Sequence, residues 1–280
     1  MIPLEDTAAD VIGKAQRGLG LSDSQLAART GIDVETVRAA RTGDGTDDTL
    51  RRLAPVLQLD PAALVALASG SYRSEAREID GVAMFNTPFD DMRVNAFLVW
   101  DPRSRAAIVF DSGADCAPML QQITDAKLDV QLILLTHAHP DHVADLKRLR
   151  EATGASIYIS DRESAAGAEG IPEGREFSVG GLRVICFLTW GHSRGGMTYF
   201  VTGLASPVAV VGDAIFAGSM GGGNVSYADA LQTNSTKILS LPDETIICPG
   251  HGPLTTVGHE KRHNPFFASS FREQAGNSAD

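Results

Sequence analysis

Thr136-His137-Ala138-His139-Pro140-Asp141-His142 puts four side chains able to bind a metal within six residues, directly after the apolar run Val130 to Leu135. That run reads as a buried strand ending at Thr136. Residues two apart in extended chain project to the same side, so His137 and His139 can share one cation. Pro140 then opens a helical pattern with Val143, Leu146 and Leu149 on one face. The turn it makes points the adjacent Asp141 and His142 at a second position. A lone histidine is usually an ordinary core or surface residue, but this spacing lets one short loop serve two metals.

Three further apolar runs each deliver another ligand type. Val184 to Leu188 leads into Trp190-Gly191-His192, Val208 to Val211 into Gly212-Asp213, and Thr245 to Cys248 into Pro249-Gly250-His251. A glycine beside each ligand suits sharp turns and close backbone approach at strand ends, where site residues sit on a rigid scaffold.

In this order the residues resemble the metallo-beta-lactamase fold superfamily, and within it the glyoxalase II-like (hydroxyacylglutathione hydrolase-like) branch, over roughly residues 75 to 267. Pro249-Gly250-His251-Gly252-Pro253, Thr255-Thr256-Val257-Gly258 and Asn264-Pro265-Phe266 carry the resemblance further, as does the Asp111-Ser112-Gly113 turn. It implies an α/β fold, an αββα sandwich with two metals at one edge of its sheets. His137, His139 and His192 would hold the first metal, Asp141, His142 and His251 the second, and Asp213 would bridge them. Trp190, and Gly221-Gly222-Gly223-Asn224 in place of an Arg-Thr-Asp-Phe-like segment, depart from the branch near the expected pocket.

The implied activity is that of a dinuclear metal-dependent hydrolase, with metal-bound hydroxide attacking a small-molecule thioester or related ester carbonyl. Imidazole and carboxylate ligands suit zinc, iron or manganese, with zinc the first expectation. A metal pair lowers the pKa of a bridging water towards ~7, and Asp141 is the catalytic candidate that orients the nucleophile or passes on a proton. A lactonase would use the same ligands, and a persulfide dioxygenase of this superfamily would use one iron. Gly191-His192-Ser193-Arg194-Gly195 also satisfies the Gly-x-Ser-x-Gly pattern of a serine hydrolase. A nucleophile elbow must turn from strand into helix, however, and Met197 to Val201 reads as another strand. Ser193 is therefore expected in a turn.

The chain has 280 residues, 43% apolar and 21% charged, and a net charge of −11, as expected of a globular enzyme. No apolar run approaches the ~20 residues that cross a bilayer and no export signal is evident, so a cytoplasmic location is expected. Cys116, Cys186 and Cys248 are odd in number and lie mostly in apolar context, which predicts buried free thiols.

Residues 1–70 read differently from 71–280, the hydrolase domain. They predict a small all-helical domain, in which Ser22 caps Asp23 to Thr30, Gly31 makes the turn and Asp33 caps Val34 to Arg41. This helix-turn-helix pattern resembles the Cro/C1-type repressor family, which would put Arg38 and Arg41 at DNA. Seven Lys/Arg against ten Asp/Glu in this stretch disfavour phosphate contacts. The other readings are dimerisation, giving a homodimer, or docking on the larger domain. A regulator whose metal domain senses a metabolite joins the two halves differently. The hinge is expected between Ser69 and Glu78, and the tail from Ala275 to Asp280 is expected to be disordered.

Overall fold

The computed structural model describes residues 2–74 and 79–277. Five helices come first: α1 (Ala8–Gly18), α2 (Asp23–Thr30), α3 (Val34–Arg41), α4 (Asp47–Val56) and α5 (Pro61–Ala68). Ser22 accepts from Gln25 N, Gly31 ends α2 in the left-handed region, and Asp33 accepts from Thr36 N, as the capping pattern predicts. The expected hinge falls partly on residues 75–78, which lie outside the described residues. Residues 278–280 of the tail do so too, and the last helix runs to Asn277.

Two six-stranded sheets follow. The first has the spatial order β1 (Val82–Phe89), β2 (Met92–Trp100), β3 (Ala106–Phe110), β4 (Asp129–Leu134), β5 (Ser156–Ser160) and β6 (Ala168–Ile171). Between β3 and β4 lies α6 (Ala117–Asp125), and α7 (Pro140–Val143) and α8 (Leu146–Thr153) lie between β4 and β5. The second sheet runs in reverse, from β12 (Thr255–Thr256) through β11 (Ile246–Pro249), β10 (Val208–Gly212), β9 (Met197–Thr202) and β8 (Leu182–Leu188) to β7 (Glu176–Val179). Both sheets mix parallel and antiparallel pairs. α9 (Tyr227–Thr233) precedes a π-helical turn at Asn234–Ile238, and α10 (Val257–His263) and α11 (Ala268–Asn277) close the chain.

The two-residue period of the strands explains the layering. Ile108 and Phe110 of β3, with Val208 and Val210 of β10, fill the space between the sheets. Their neighbours Ala107 and Val109 face α6 and α8 through Met119, Leu146 and Leu149. Ala209 and Val211 face outwards on the other side. The result is the expected αββα sandwich.

The outer layer over the second sheet is shared. Val11, Ile12, Leu26, Leu53 and Leu64 of the first five helices lie in one apolar cluster with Ala209, Val211, Ile247 and Phe266. Tyr72 donates from its hydroxyl to Glu260 on α10 at 2.5 Å. No helix among the described residues is long and apolar enough to cross a membrane. The three cysteines are free and buried, and burial pushes the Cys116 and Cys186 thiols up to about 12.

Candidate metal centre

Every residue singled out as a ligand leaves its strand at the same edge of the sandwich. His137 and His139 follow β4, and Asp141 and His142 lie on α7. The helical pattern expected from Pro140 to Leu149 is interrupted at Ala144 and Asp145. There Asp145 accepts from Cys116 N at 2.9 Å and its own N–H donates to Ser112 Oγ at 3.1 Å, tying the ligand loop to the 111–113 turn. His192, Asp213 and His251 follow β8, β10 and β11. Thr136 O accepts from Met197 N at 2.8 Å, so the two sheets are joined at this edge.

Two groups of donor atoms result, His137, His139, His192 and Asp213 in one and Asp141, His142 and His251 in the other, each within 4.8 Å of one another. Asp213 stands between them: Oδ2 is 3.3 Å from His192 Nε2 and 3.4 Å from His251 Nε2, and Oδ1 is 3.2 Å from His142 Nε2. Asp141 Oδ2 lies 3.3 Å from His251 Nε2.

The outer nitrogens are held so that the inner ones present lone pairs. His192 Nδ1 donates to Gly222 O at 3.0 Å, His251 Nδ1 to Arg93 O at 2.6 Å and His142 Nδ1 to Asp111 Oδ2 at 2.8 Å. Thr136 Oγ1 gives its proton to Asp111 and so accepts from His137 Nδ1 at 3.1 Å. Such outer partners set the tautomer and orientation of a metal-binding imidazole.

The residues fit cations on three observations. First, His137 Nε2 and His192 Nε2 converge on His139 Nδ1 at 2.9 and 3.1 Å. One cation between them satisfies all three nitrogens, whereas a proton on His139 serves one neighbour at a time. Second, buried His142 Nε2 and Asp213 Oδ1 face each other at 3.2 Å without forming a hydrogen bond, an arrangement that is costly unless something charged sits against both. Third, the second group attracts positive charge. Burial opposes protonation of His142 and His251, yet Asp213, helped by Asp111 at the one and Asp141 at the other, raises them to about 10 and about 11. In the first group, burial and the neighbouring imidazoles hold His137 and His192 below the usual histidine range.

Close approach explains the glycines. A Cβ on Gly250 would run into Asp213 Oδ1, and one on Gly212, at φ +51, would lie 2.5 Å from Thr136 Oγ1. Ser193 sits in a turn where Gly191 N donates to Ser193 O, and Met197–Thr202 is a strand, so no nucleophile elbow forms. Arg38 and Arg41 lie on α3 and belong to neither donor group. Asp23 is 3.4 Å from Arg38 and 3.0 Å from Arg41, and Glu35 is 2.7 Å from Arg38.

Several supporting residues escaped the sequence reading. Glu163 accepts from Ala138 N at 2.6 Å and from Gly195 N at 2.8 Å, clamping both ligand loops of the first group. Asn95 on β2 donates to Pro249 O and Gly252 O, on either side of His251. Glu5 Oε2 stands 4.0 Å from His251 Nδ1. Nothing in the spacing marks Glu163, Asn95 or Glu5, because their partners are distant in sequence. Asp111 carried the one available signal, its Asp-Ser-Gly turn. A cavity of about 410 Å³ opens onto the first group, lined by His139, Glu163, His192, Arg194 and Asn224 among others.

Comparison with known proteins agrees with this geometry. Residues 89–251 match the family model described as the metallo-beta-lactamase superfamily. The hydroxyacylglutathione hydrolase GloC of Haemophilus influenzae is 30% identical over 205 residues, covering 65% of this chain and 96% of that protein. The crystal structure of ETHE1 from Myxococcus xanthus superposes with a TM-score of 0.59 at 25% identity, covering 67% of this chain and 85% of that one. TTHA1623 in a di-iron-bound form superposes with a TM-score of 0.54 at 27% identity, covering 65% and 100%.

Proposed function

Since the chain belongs to the metallo-beta-lactamase superfamily and its relatives include metallo-hydrolases, we propose that it is a two-metal hydrolase cleaving a thioester, in the manner of glyoxalase II. The observation that carries the reading is Asp213, whose two oxygens reach histidines of both donor groups. His137, His139 and His192 would hold one ion, Asp141, His142 and His251 the other, with Asp213 shared. Two divalent ions held there would supply carbonyl polarisation and an activated water.

The chain's own residues do the remaining work. Burial opposes ionisation of Asp141, but hydrogen bonding from His251 and the charge of His142 keep its carboxyl below the usual range. With ions bound, His142 and His251 would be neutral ligands and the cations themselves would keep Asp141 ionised, so that it could take a proton from the attacking water. Asp111, Gly222 O and Arg93 O hold the imidazoles in orientation through the bonds above, so little reorganisation accompanies the reaction. Similarity to a hydroxyacylglutathione hydrolase supports a thioester over a lactone as the scissile group.

The test is metal content per chain on protein purified without chelator, followed by thioester and lactone hydrolysis on the same sample. Close to two equivalents of zinc, iron or manganese with thioester turnover is the expected result, and Asp213→Ala should abolish it. One equivalent of iron, with oxygen consumption in place of hydrolysis, would replace this reading by an oxygenase. Lactone turnover alone would move the substrate class.

A further inference from the structure

Helix α1, which precedes the stretch matched by the family model, is built onto the rim of the metal centre. Asp6, 8% exposed, accepts from Ser219 Oγ at 2.5 Å and pairs with Lys14. Lys14 Nζ also donates to Met220 O at 2.9 Å and lies 5.2 Å above the Phe216 ring. Phe216 in turn meets His251 edge-on at 5.7 Å between ring centres. Gly18 has the Tyr227 ring directly against it. The segment from Phe216 to Tyr227, which includes the Gly222 carbonyl that holds His192, is thus gripped by α1.

This placement makes a second cleft, of about 190 Å³, lined by Lys14, Arg17, Gly18 and Gly222 to Asn224. Asn224 also lines the mouth at His139 and His192, together with Arg194. The two cavities therefore share one lining residue. Arg17 lines the one and Arg194 the other, both exposed. Neither has an ion pair or a side-chain hydrogen bond among the described residues. By contrast Lys14, in the same cleft as Arg17, is paired with Asp6. In a chain of net charge −11, two unpartnered guanidinium groups on clefts that share Asn224, one of which opens onto His139 and His192, form a local field suited to an anion, and the planar fork suits a carboxylate.

We propose that α1 is a wall of the substrate site and that Arg17, with Arg194 across Asn224, selects substrates carrying a carboxylate on the thiol portion. Arg17 is a specificity residue in this assignment and takes no part in bond breaking. The assignment rests on the hydrolase reading for the orientation of the substrate. Its recognition element, a carboxylate on Arg17, can be measured without turnover.

The experiment uses full-length, metal-loaded protein and two unreactive thioethers made from the same thiol, one with its carboxylate free and one as the methyl ester. Calorimetry should show the free carboxylate bound roughly 10- to 100-fold more tightly, the range of a charge-assisted hydrogen bond. Arg17→Gln should remove most of that preference, Arg17→Lys should restore part, and added salt should weaken it. An unchanged preference in Arg17→Gln, as a carboxylate bound only at the metals would give, overturns the proposal. So does the absence of a preference in the wild-type protein. In parallel, the matched pair of thioesters is assayed. Loss of kcat/KM in Arg17→Gln, carried by KM and confined to the carboxylated substrate, is the expected pattern, while equal loss on both substrates overturns it. If neither thioester is hydrolysed but the binding preference follows Arg17, the hydrolase reading fails and the anion site stands.

Discussion

Asp111 Oδ2 accepts a hydrogen bond from His142 Nδ1 at 2.8 Å, at a buried position where the same oxygen accepts from Thr136 Oγ1 at 2.7 Å. Its other oxygen accepts from Thr136 N. One carboxylate therefore fixes the tautomer of His142 and, through Thr136, that of His137, one imidazole in each donor group. Asp111 itself sits at φ +57, a left-handed conformation that an aspartate tolerates better than most residues.

Replacing Asp111 by Asn tests this arrangement. An amide nitrogen in the Oδ2 position donates to His142 Nδ1 and turns the proton of that ring inward, onto the nitrogen meant to bind. The expected loss is roughly 10- to 100-fold in affinity for the second ion, the usual effect of removing an outer partner. Metal titration should show two sites in the wild-type protein and, in the variant, a strongly weakened second site with a smaller loss at the first, where Thr136 Oγ1 no longer has Asp111 to take its proton.

Glu163→Ala should loosen the first group. Ala138 N, at the cavity mouth, can turn to water, while buried Gly195 N loses its acceptor, so the stability cost is about 1–3 kcal/mol. The larger effect is expected on metal exchange, since His137, His139 and His192 all sit on the two loops that Glu163 joins. Faster release of the first ion to a chelator, with only a modest fall in the denaturation midpoint of the metal-free protein, is the expected result.

Glu260 is fully buried and accepts from Tyr72, Thr255, Gly218 N and Asn264. Burial raises its pKa, and the hydrogen bonds counter only part of that rise. Glu260→Ala leaves buried donors unmet, each costing about 1–3 kcal/mol, and should destabilise the protein by at least ~3 kcal/mol in denaturant unfolding. Glu260→Gln should cost less, because the Tyr72 and Thr255 hydroxyls can turn to accept from the amide.

Asp101 supplies a pH dependence away from the metals. It accepts from Ser104 Oγ, Arg103 N and Gly181 N, and these bonds lower its pKa to about 2. Its folded-state pKa is below the unfolded value of ~3.9, so its contribution is present above that value and is lost as pH falls through about 2. With chelator present throughout, the gap in urea midpoint between wild type and Asp101→Asn should be constant from about pH 5 to about pH 7. It should shrink between about pH 4 and pH 2.

Metal removal gives a separate measurement. Each ion present at 100 times its Kd adds about 2.7 kcal/mol to the folded state. For a chain of this size that is a fall of about 5–11 °C in Tm per ion on chelation. Asp213→Ala should show a smaller fall than the wild type, since it has less metal affinity to lose.

The sequence by itself determined the ligand types and the strands that carry them. His137 to His142 is a local pattern, set by the two-residue period of a strand and the turn at Pro140, and the runs before His192, Asp213 and His251 appear as β8, β10 and β11. The caps of α2 and α3 were legible for the same reason, since a cap and its partner are three residues apart. Only tertiary structure decided how those ligands are held and what surrounds them. Arg93 O, Gly222 O, Glu163 and Asn95 act on partners far away in the chain, and backbone carbonyls leave no mark in residue identity. The position of α1 was likewise outside local reading. Its apolar residues predict burial, but which face they cover is settled by packing against Ala209, Val211 and Phe266, because hydrophobic burial is non-directional and complementarity of shape selects the partner.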